Sequence, residues 1–259
     1  MAARACVLTG FGINCDNETF TALELAGATP KKVHINDLIH KKDSLENYEI
    51  LAFPGGFSFG DDIASGKVFA NKFKFNLKKD MLRFINDGKI SIGICNGFQV
   101  MAKMGLLPAL DGQYFNQQVT LTINDSGRFE DRWVCLKEMK SNCVFTQGLG
   151  KIALPVRHGE GKFFTDKKTL GRVLDEKLVT LKYINADGSK PKYPANPNGS
   201  LEDIAAICDP SGHLFGLMPH PEAYLFKTNH PRWTREKVPP VGMGRKIFEN
   251  AVKYCKKKF

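Results

Sequence analysis

The chain of 259 residues has no apolar run approaching the roughly twenty residues that a membrane-crossing helix requires. Its first residues, Met1-Ala-Ala-Arg-Ala-Cys-Val-Leu8, lack the apolar core and small-residue cleavage site of a secretory signal and are expected to open a first strand. Cysteine occurs seven times, an odd number, and no two stand as a C-x-x-C pair with zinc-ligand spacing. This argues against a zinc ribbon or a disulfide framework, predicts no metal site, and fits reduced thiols in the cytoplasm. Neither G-x-x-x-x-G-K-[ST] nor G-x-G-x-x-G occurs, so no phosphate-cradling loop is expected. No internal repeat, low-complexity tract or linker divides the chain, and 42% hydrophobic residues suffice for a sizeable core. One domain spanning residues 1–259 is expected.

What is abundant is positive charge, a formal +10. The lysines are spread along the chain, and the densest run (Lys253, Lys256, Lys257, Lys258) ends an expected terminal helix. No RNP-like or zinc-finger pattern accompanies them. A solvated lysine surface or a docking face for an acidic partner is therefore the expectation, not nucleic-acid binding.

Apolar patterning alternates between strand and helix in the first half. Ala5–Thr9, Val33–Ile35, Glu49–Phe53 and Ile90–Ile94 read as strands. Asp16 is expected to cap a helix carrying Thr19–Leu25, and helices are predicted over Leu77–Asn86, stopped by Gly88, and Phe98–Leu106. This order implies a doubly wound, mostly parallel sheet in a three-layer α/β/α arrangement. The second half is richer in strands: Val119–Ile123, Trp133–Leu136, Ile152–Val156 and Val179–Tyr183. A hairpin of Ala205–Cys208 with Leu214–Met218 turns at Asp209-Pro-Ser-Gly212, and a helix over Met243–Tyr254 closes the chain. Asn185–Ser200, rich in Asn, Pro, Gly and Lys, is expected to be an exposed loop.

Three segments carry chemistry. In Gly93-Ile-Cys-Asn-Gly-Phe-Gln99 a cysteine stands between an apolar strand and a helix, with glycines two residues to either side. This is the thiol counterpart of the G-x-S-x-G elbow. A sharp turn lifts Cys95 clear of the sheet, and the helix N-terminus favours its thiolate. The Asn96 N–H points at the same spot as an oxyanion donor. A buried core cysteine is the competing explanation; the glycines and the helix start weigh against it. Met218-Pro-His-Pro-Glu222 supplies what an activated cysteine needs, a base (His220) and a group to orient it (Glu222), two residues apart at a strand end. A solvated His–Glu pair in a proline-rich loop is the plainer alternative. Phe53-Pro-Gly-Gly-Phe-Ser-Phe-Gly-Asp-Asp62 follows the third strand, where Gly55 or Gly56 could bring a backbone N–H to a ligand; alone, a glycine pair there is usually a turn.

Together the cysteine elbow and the late Met-Pro-His-Pro-Glu resemble the triad glutamine amidotransferases. Further segments narrow the resemblance to the glutaminase subunits of phosphoribosylformylglycinamidine synthase: Gly12–Glu18, Pro54–Asp62, Ser126–Trp133, His158–Gly161 and Asn196–Ser200. The resemblance implies that Cys95 attacks the carboxamide of glutamine, His220 moves the protons and Glu222 holds His220. It places Gly56 and Asn96 at the oxyanion, and Gly55 and Gln99 at the bound glutamine. It further implies a large synthetase subunit as ammonia acceptor, using ATP and Mg²⁺ that this chain does not bind, and a small bridging subunit. Two departures concern docking: Ala223 stands where many relatives have Arg, and Leu225–Pro240 is a long polar connection. A free-standing thiol hydrolase of the same fold class, such as a peptidase-like or γ-glutamyl hydrolase protein, and a catalytically idle scaffold or basic RNA-binding subunit remain the alternatives.

Overall fold

A computed structural model describes residues 2–259. The first strand, β1 (Arg4–Thr9), buries Ala5–Leu8 and is followed by α1 (Asp16–Leu25), β2 (Thr29–His34), α2 (Ile35–Ile39) and β3 (Ile50–Phe53). Then come α3 (Lys67–Asn86), β4 (Ile90–Ile94) and α4 (Asn96–Met104). The second half contains β5 (Thr120–Thr122), β6 (Glu130–Glu138), β7 (Lys151–His158), β8 (Lys162–Phe164), α5 (Lys167–Asp175) and β9 (Val179–Ile184). It closes with β10 (Ile204–Cys208), β11 (Leu214–Leu217) and α6 (Arg245–Lys258).

Nine of these strands form one sheet in the order β2-β1-β3-β4-β11-β10-β9-β6-β7. From β2 to β11 every neighbouring pair is parallel. From β11 to β7 the pairs are antiparallel, which is where the β-rich second half goes. β5 and β8 make a separate two-stranded ribbon. The strand order reverses between β1 and β3, and right-handed crossovers therefore put α1 and α3 on opposite faces. Such a reversal opens a crevice beyond the carboxyl ends of the strands. The loops after β1, β3, β4 and β11 all leave from that edge, and each carries one of the segments singled out above. The parallel strands are buried on both faces: β3, β4 and β11 have no exposed residue. No helix among the described residues is long and apolar enough to cross a membrane.

Several elements differ from the sequence expectation. Asp16 does not cap α1; Cys15 occupies that position without a side-chain cap, and Asp16 is the first helical residue. The second strand begins at Thr29 and ends at His34, and Ile35 starts the short α2, capped by His34 Nδ1 accepting from the Asn36 N–H. α3 starts ten residues before Leu77 and α4 two residues before Phe98. α5 was not foreseen, although Asp166 caps it by accepting from the Thr169 N–H at 3.0 Å. Asn185–Ser200 is exposed only in part: Asn196, Pro197, Asn198 and Ser200 are buried. Their polar groups satisfy one another, with Asn198 Oδ1 accepting from Ser200 Oγ at 2.7 Å and Asn196 Nδ2 donating to Asp203 at 2.9 Å. The β10–β11 hairpin forms as expected, and Asp209 fixes its turn by accepting from the N–H groups of His213 and Leu214.

The tightest packing in the parallel half lies where α4 leaves the sheet. A Cβ on Gly97 would stand 1.8 Å from the Phe53 carbonyl oxygen, and one on Gly93 2.6 Å from Met101 Sδ and 2.7 Å from the Gly97 carbonyl oxygen. Backbone cannot give way as a flexible side chain can. Gly97→Ala is accordingly expected to destabilise the fold by about 2 kcal/mol or more. Urea denaturation checks this, and an unchanged midpoint would show that the contact is not rigid.

Candidate functional site

Cys95 links β4 to α4 with φ 50° and ψ −105°, a left-handed conformation that costs a residue with a side chain on the order of 1–3 kcal/mol. The contacts around it hold this strain. The Cys95 N–H donates to the Leu217 carbonyl at 2.8 Å, tying the elbow to β11, and the Cys95 carbonyl accepts from the Gln99 N–H in the first turn of α4. Cys95 itself is 5% exposed. Its thiol points at the end of β7, where the Arg157 carbonyl lies 3.5 Å from Sγ.

His220 follows β11 and is anchored by its N–H donating to the Pro155 carbonyl of β7 at 2.8 Å. Pro221 and Glu222 continue as a single 3₁₀ turn, which brings the Glu222 carboxylate back to the His220 ring. Nδ1 of His220 and Oε1 of Glu222 are 2.5 Å apart, both side chains being buried. Burial alone would push the imidazole pKa down; the Glu222 carboxylate, with the thiols of Cys95 and Cys15, outweighs it, and His220 sits well above its ordinary value. With the proton on Nδ1 shared toward Glu222, Nε2 is left without a hydrogen-bond partner. The Arg157 guanidinium lies 3.3 Å from Nδ1 and 3.9 Å from Glu222 Oε1. Arginine can only donate, so the carboxylate, not the protonated ring nitrogen, holds it.

Cys95, His220 and Arg157 face one cavity of about 130 Å³, lined also by Asn14, Cys15, Gly56, Phe57 and Phe129, with Glu222 behind the His220 ring. Gly56 adopts φ 146° and bridges to Ile13, where a Cβ would stand 2.6 Å from the Gly12 carbonyl oxygen. The loops after β1 and β3 are thereby locked together at the cavity wall. Gly55 lies just behind: a Cβ there would be 2.9 Å from His220 Cε1 and 3.3 Å from Cys15 Sγ, so only glycine lets the ring sit where it does. Asn96 opens α4 directly after Cys95, with its N–H among the unpaired donors of a helix start. Its side chain accepts from the Ser58 N–H at 3.2 Å and donates to Asp61 and Gln99. Gln99 does not line the cavity. Its amide donates to the Glu160 carbonyl at 2.5 Å and its oxygen accepts from Asn96, which places it in a buried polar layer beneath the elbow. Lys103 completes that layer, donating to the Ser65 carbonyl at 2.6 Å with Glu160 at 3.7 Å. Burial lowers its pKa and raises that of Asp61.

The structure thus brings Cys95, His220, Glu222, Gly55, Gly56 and Asn96 together and leaves Gln99 behind them. Sequence reasoning missed Asn14, Cys15, Phe57, Phe129 and Arg157 as cavity walls. The first four stand inside segments that carry the family resemblance, whereas Arg157 had no local signal.

His158 has a different part. It is 2% exposed, with Nδ1 3.1 Å from Asn124 Oδ1 and Nε2 3.5 Å from Asn198 Nδ2. Asn198 Oδ1 is already used by Ser200, so its amide nitrogen faces the ring and Nε2 must accept. Asn124 also accepts from the Gly161 N–H and donates to the Arg128 and His158 carbonyls. One neutral imidazole therefore knots Ser126–Trp133, His158–Gly161 and Asn196–Ser200, and so holds Phe129 at the cavity. Burial, aided by the nearby His220, pushes its pKa down to about 3. A histidine held neutral in the fold stabilises it fully above the unfolded pKa of about 6.5 and loses that stabilisation as pH falls from there toward the folded value. His158→Gln should therefore lower stability at pH 7 and flatten the acid limb between pH 6.5 and 4, relative to wild type. Thermal melts across that range check this; parallel curves for the two proteins would contradict it.

The family model for the CobB/CobQ-like glutamine amidotransferase domain matches residues 2–255. The chain is 44% identical over 266 residues to phosphoribosylformylglycinamidine synthase subunit PurQ of Methanococcus maripaludis, covering 98% of each. It is 46% identical over 257 residues to the subunit of the same name from Dehalococcoides mccartyi, again covering 98% of each. Among solved structures, a chain of PurLQS from Thermotoga maritima is 32% identical with a TM-score of 0.74, over 98% of this chain and 100% of that one. A further glutamine amidotransferase from Thermotoga maritima, 14% identical with a TM-score of 0.52, shares the fold. The chain belongs to the glutamine amidotransferases and, among them, to the PurQ family of phosphoribosylformylglycinamidine synthase subunits.

Proposed function

We propose that this chain hydrolyses glutamine to glutamate and ammonia at Cys95 and passes the ammonia to a large synthetase subunit. That subunit then converts formylglycinamide ribonucleotide to formylglycinamidine ribonucleotide, a step of purine biosynthesis. The observation that carries the reading is a cysteine in a strained elbow facing a buried His220–Glu222 pair across one small cavity.

The chemistry follows from the geometry. The Cys95 thiolate attacks the carboxamide carbon, and the oxygen takes up negative charge. The N–H groups of Gly56, at the cavity wall, and Asn96, at the helix start, face that charge. His220, having received the thiol proton, delivers one to the departing nitrogen, and ammonia leaves a glutamyl thioester on Cys95. Water, deprotonated by His220, attacks the thioester carbon; glutamate departs and the thiol takes back its proton. Glu222 holds the imidazole in one tautomer and stabilises its charged form throughout. Gln99 acts indirectly, fixing Asn96 and Glu160 beneath the elbow. A cavity of about 130 Å³ suits the carboxamide end of a single amino acid better than a peptide. This favours the glutaminase over a free-standing peptidase.

The partner is the large synthetase subunit, with a small bridging subunit in the same assembly. The solved PurLQS complex from Thermotoga maritima supports this, since one of its chains matches nearly the whole of this one. ATP and Mg²⁺ belong to the synthetase chemistry, and no phosphate-loop motif in this sequence competes for them. Seven cysteines without a disulfide among the described residues fit a cytoplasmic setting.

Mixed with a cognate synthetase, wild type should support turnover on glutamine. Cys95→Ala should abolish glutamine-dependent turnover and leave turnover on ammonium salts intact. If wild type adds nothing to the synthetase on glutamine, the assignment is wrong. Glu222→Gln, which keeps the shape but removes the charge, should lower the glutaminase kcat by about 10²-fold or more while moving KM little. Steady-state ammonia release measures both, and an unaltered kcat would remove Glu222 from the triad.

A further inference from the structure

No cysteine spacing in the sequence suggests a metal site, yet the fold gathers ligand chemistry that glutamine hydrolysis uses only in part. Cys15 at the start of α1, His220 and Glu222 each present one donor atom, and the three atoms lie within 4.8 Å of one another. All three residues are more than nine-tenths buried. Two polar atoms of the cluster have no hydrogen-bond partner, Nε2 of His220 and Oε2 of Glu222. The Cys15 thiol contacts its neighbour Asn14 at 3.5 Å and lies close enough to His220 to favour its protonated form, yet the mechanism above gives it no proton to carry. A thiolate, an imidazole and a carboxylate together are the donor set of borderline-soft divalent cations. Hard cations such as Mg²⁺ take oxygen ligands and keep their waters, so this cluster discriminates against them.

We propose that Cys15, His220 and Glu222 form an inhibitory site for a zinc-class divalent cation, with its remaining position turned toward Cys95 across the cavity. A tetrahedral zinc, with Zn–S near 2.3 Å and Zn–N near 2.0 Å, sets its donors about 3.5 Å apart; a cluster whose donor atoms lie within 4.8 Å of one another reaches that spacing by side-chain adjustment, with the 2.5 Å His220–Glu222 hydrogen bond opening to admit the cation. On binding, the Cys15 thiol proton goes to solvent, while the single proton of the neutral His220 ring stays on whichever nitrogen the cation does not take. The ring is then committed to the cation and cannot take the proton of Cys95, so ammonia release stops until a chelator removes the metal.

The binding half of this inference stands apart from the glutaminase assignment, whereas the inhibition rests on it. Binding is measured on the full chain with Zn²⁺ alone, in competition with a chromophoric chelator, and with Co²⁺, whose thiolate charge-transfer absorption reports sulfur ligation. Wild type should hold one Zn²⁺ per chain even in excess Mg²⁺ and show the cobalt band. Cys15→Ala should weaken binding by about 100-fold and lose the band. Cys143→Ala, a buried thiol beside the β10–β11 turn at the opposite edge of the sheet, should match wild type. Should Cys15→Ala fail to fold, Cys15→Ser replaces it, with the same loss of the cobalt band. Equal zinc affinity in wild type and the Cys15 variant, or no retained zinc in wild type, overturns the site. Zinc should also suppress ammonia release, with chelator restoring it. If zinc binds as described but ammonia release is unaffected, the inhibitory role is overturned. If no condition yields ammonia, the glutaminase reading fails, while the stoichiometry still decides the metal site.

Discussion

The structure depends on one constraint, the left-handed backbone at Cys95. A residue with a side chain stays in that conformation only if its neighbours leave no cheaper alternative. Here Gly97 packs against the Phe53 carbonyl, Gly93 packs against Met101, and the Cys95 N–H is bound to β11. The thiol is thereby thrown out at the carboxyl edge of the sheet, with a helix N-terminus behind it. Everything else in the site is arranged around that point. The loop after β3 brings Gly56, the loop after β1 brings Asn14 and Cys15, and the turn after β11 brings His220.

Two buried polar layers, meeting at the His158–Gly161 segment, hold this arrangement. Beneath the elbow, Asp61, Asn96, Gln99, Lys103 and Glu160 are joined by hydrogen bonds or ion pairs. A charged lysine is tolerated there because two carboxylates and a carbonyl face it. In the second layer, neutral His158 ties three separate loops into one wall. Partly paired groups in such layers would be costly, since each desolvated donor or acceptor left open carries the full penalty. Nε2 of His220 and Oε2 of Glu222 are left without partners in the triad itself. They are open where a substrate, a transferred proton or a cation can be received.

The parallel half was legible in the sequence because its strands are short, fully apolar runs that stop at glycines or at the elbow. β3 and β4 were placed almost to the residue. β2 was not, since it runs through Pro30-Lys-Lys at the sheet edge, where exposed side chains erase the apolar signal. The first half of α3 was missed for a similar reason: Phe69 and Phe73 have helical spacing, but lysines and asparagines surround them and no capping side chain marks the start. Composition misled at Asn196–Ser200, where polar residues are buried because they satisfy each other. In the site, the triad and Gly56 could be read from local motifs. Arg157 could not, because it reaches His220 only through the pairing of β6 with β7 and the docking of β7 on the loop after β11. Cys15 lay in a visible motif, yet its nearness to His220 is a product of the tertiary fold alone.

The central claim is that the elbow makes Cys95, alone among seven cysteines, a nucleophile for a glutamine carboxamide. A glutamine-mimicking chloromethyl ketone, followed by peptide mass mapping, addresses it most directly. The account predicts a single adduct on Cys95, suppressed by excess glutamine and strongly slowed in His220→Asn. An adduct on Cys15 in place of Cys95, or labelling of Cys95 that glutamine does not slow, would contradict it.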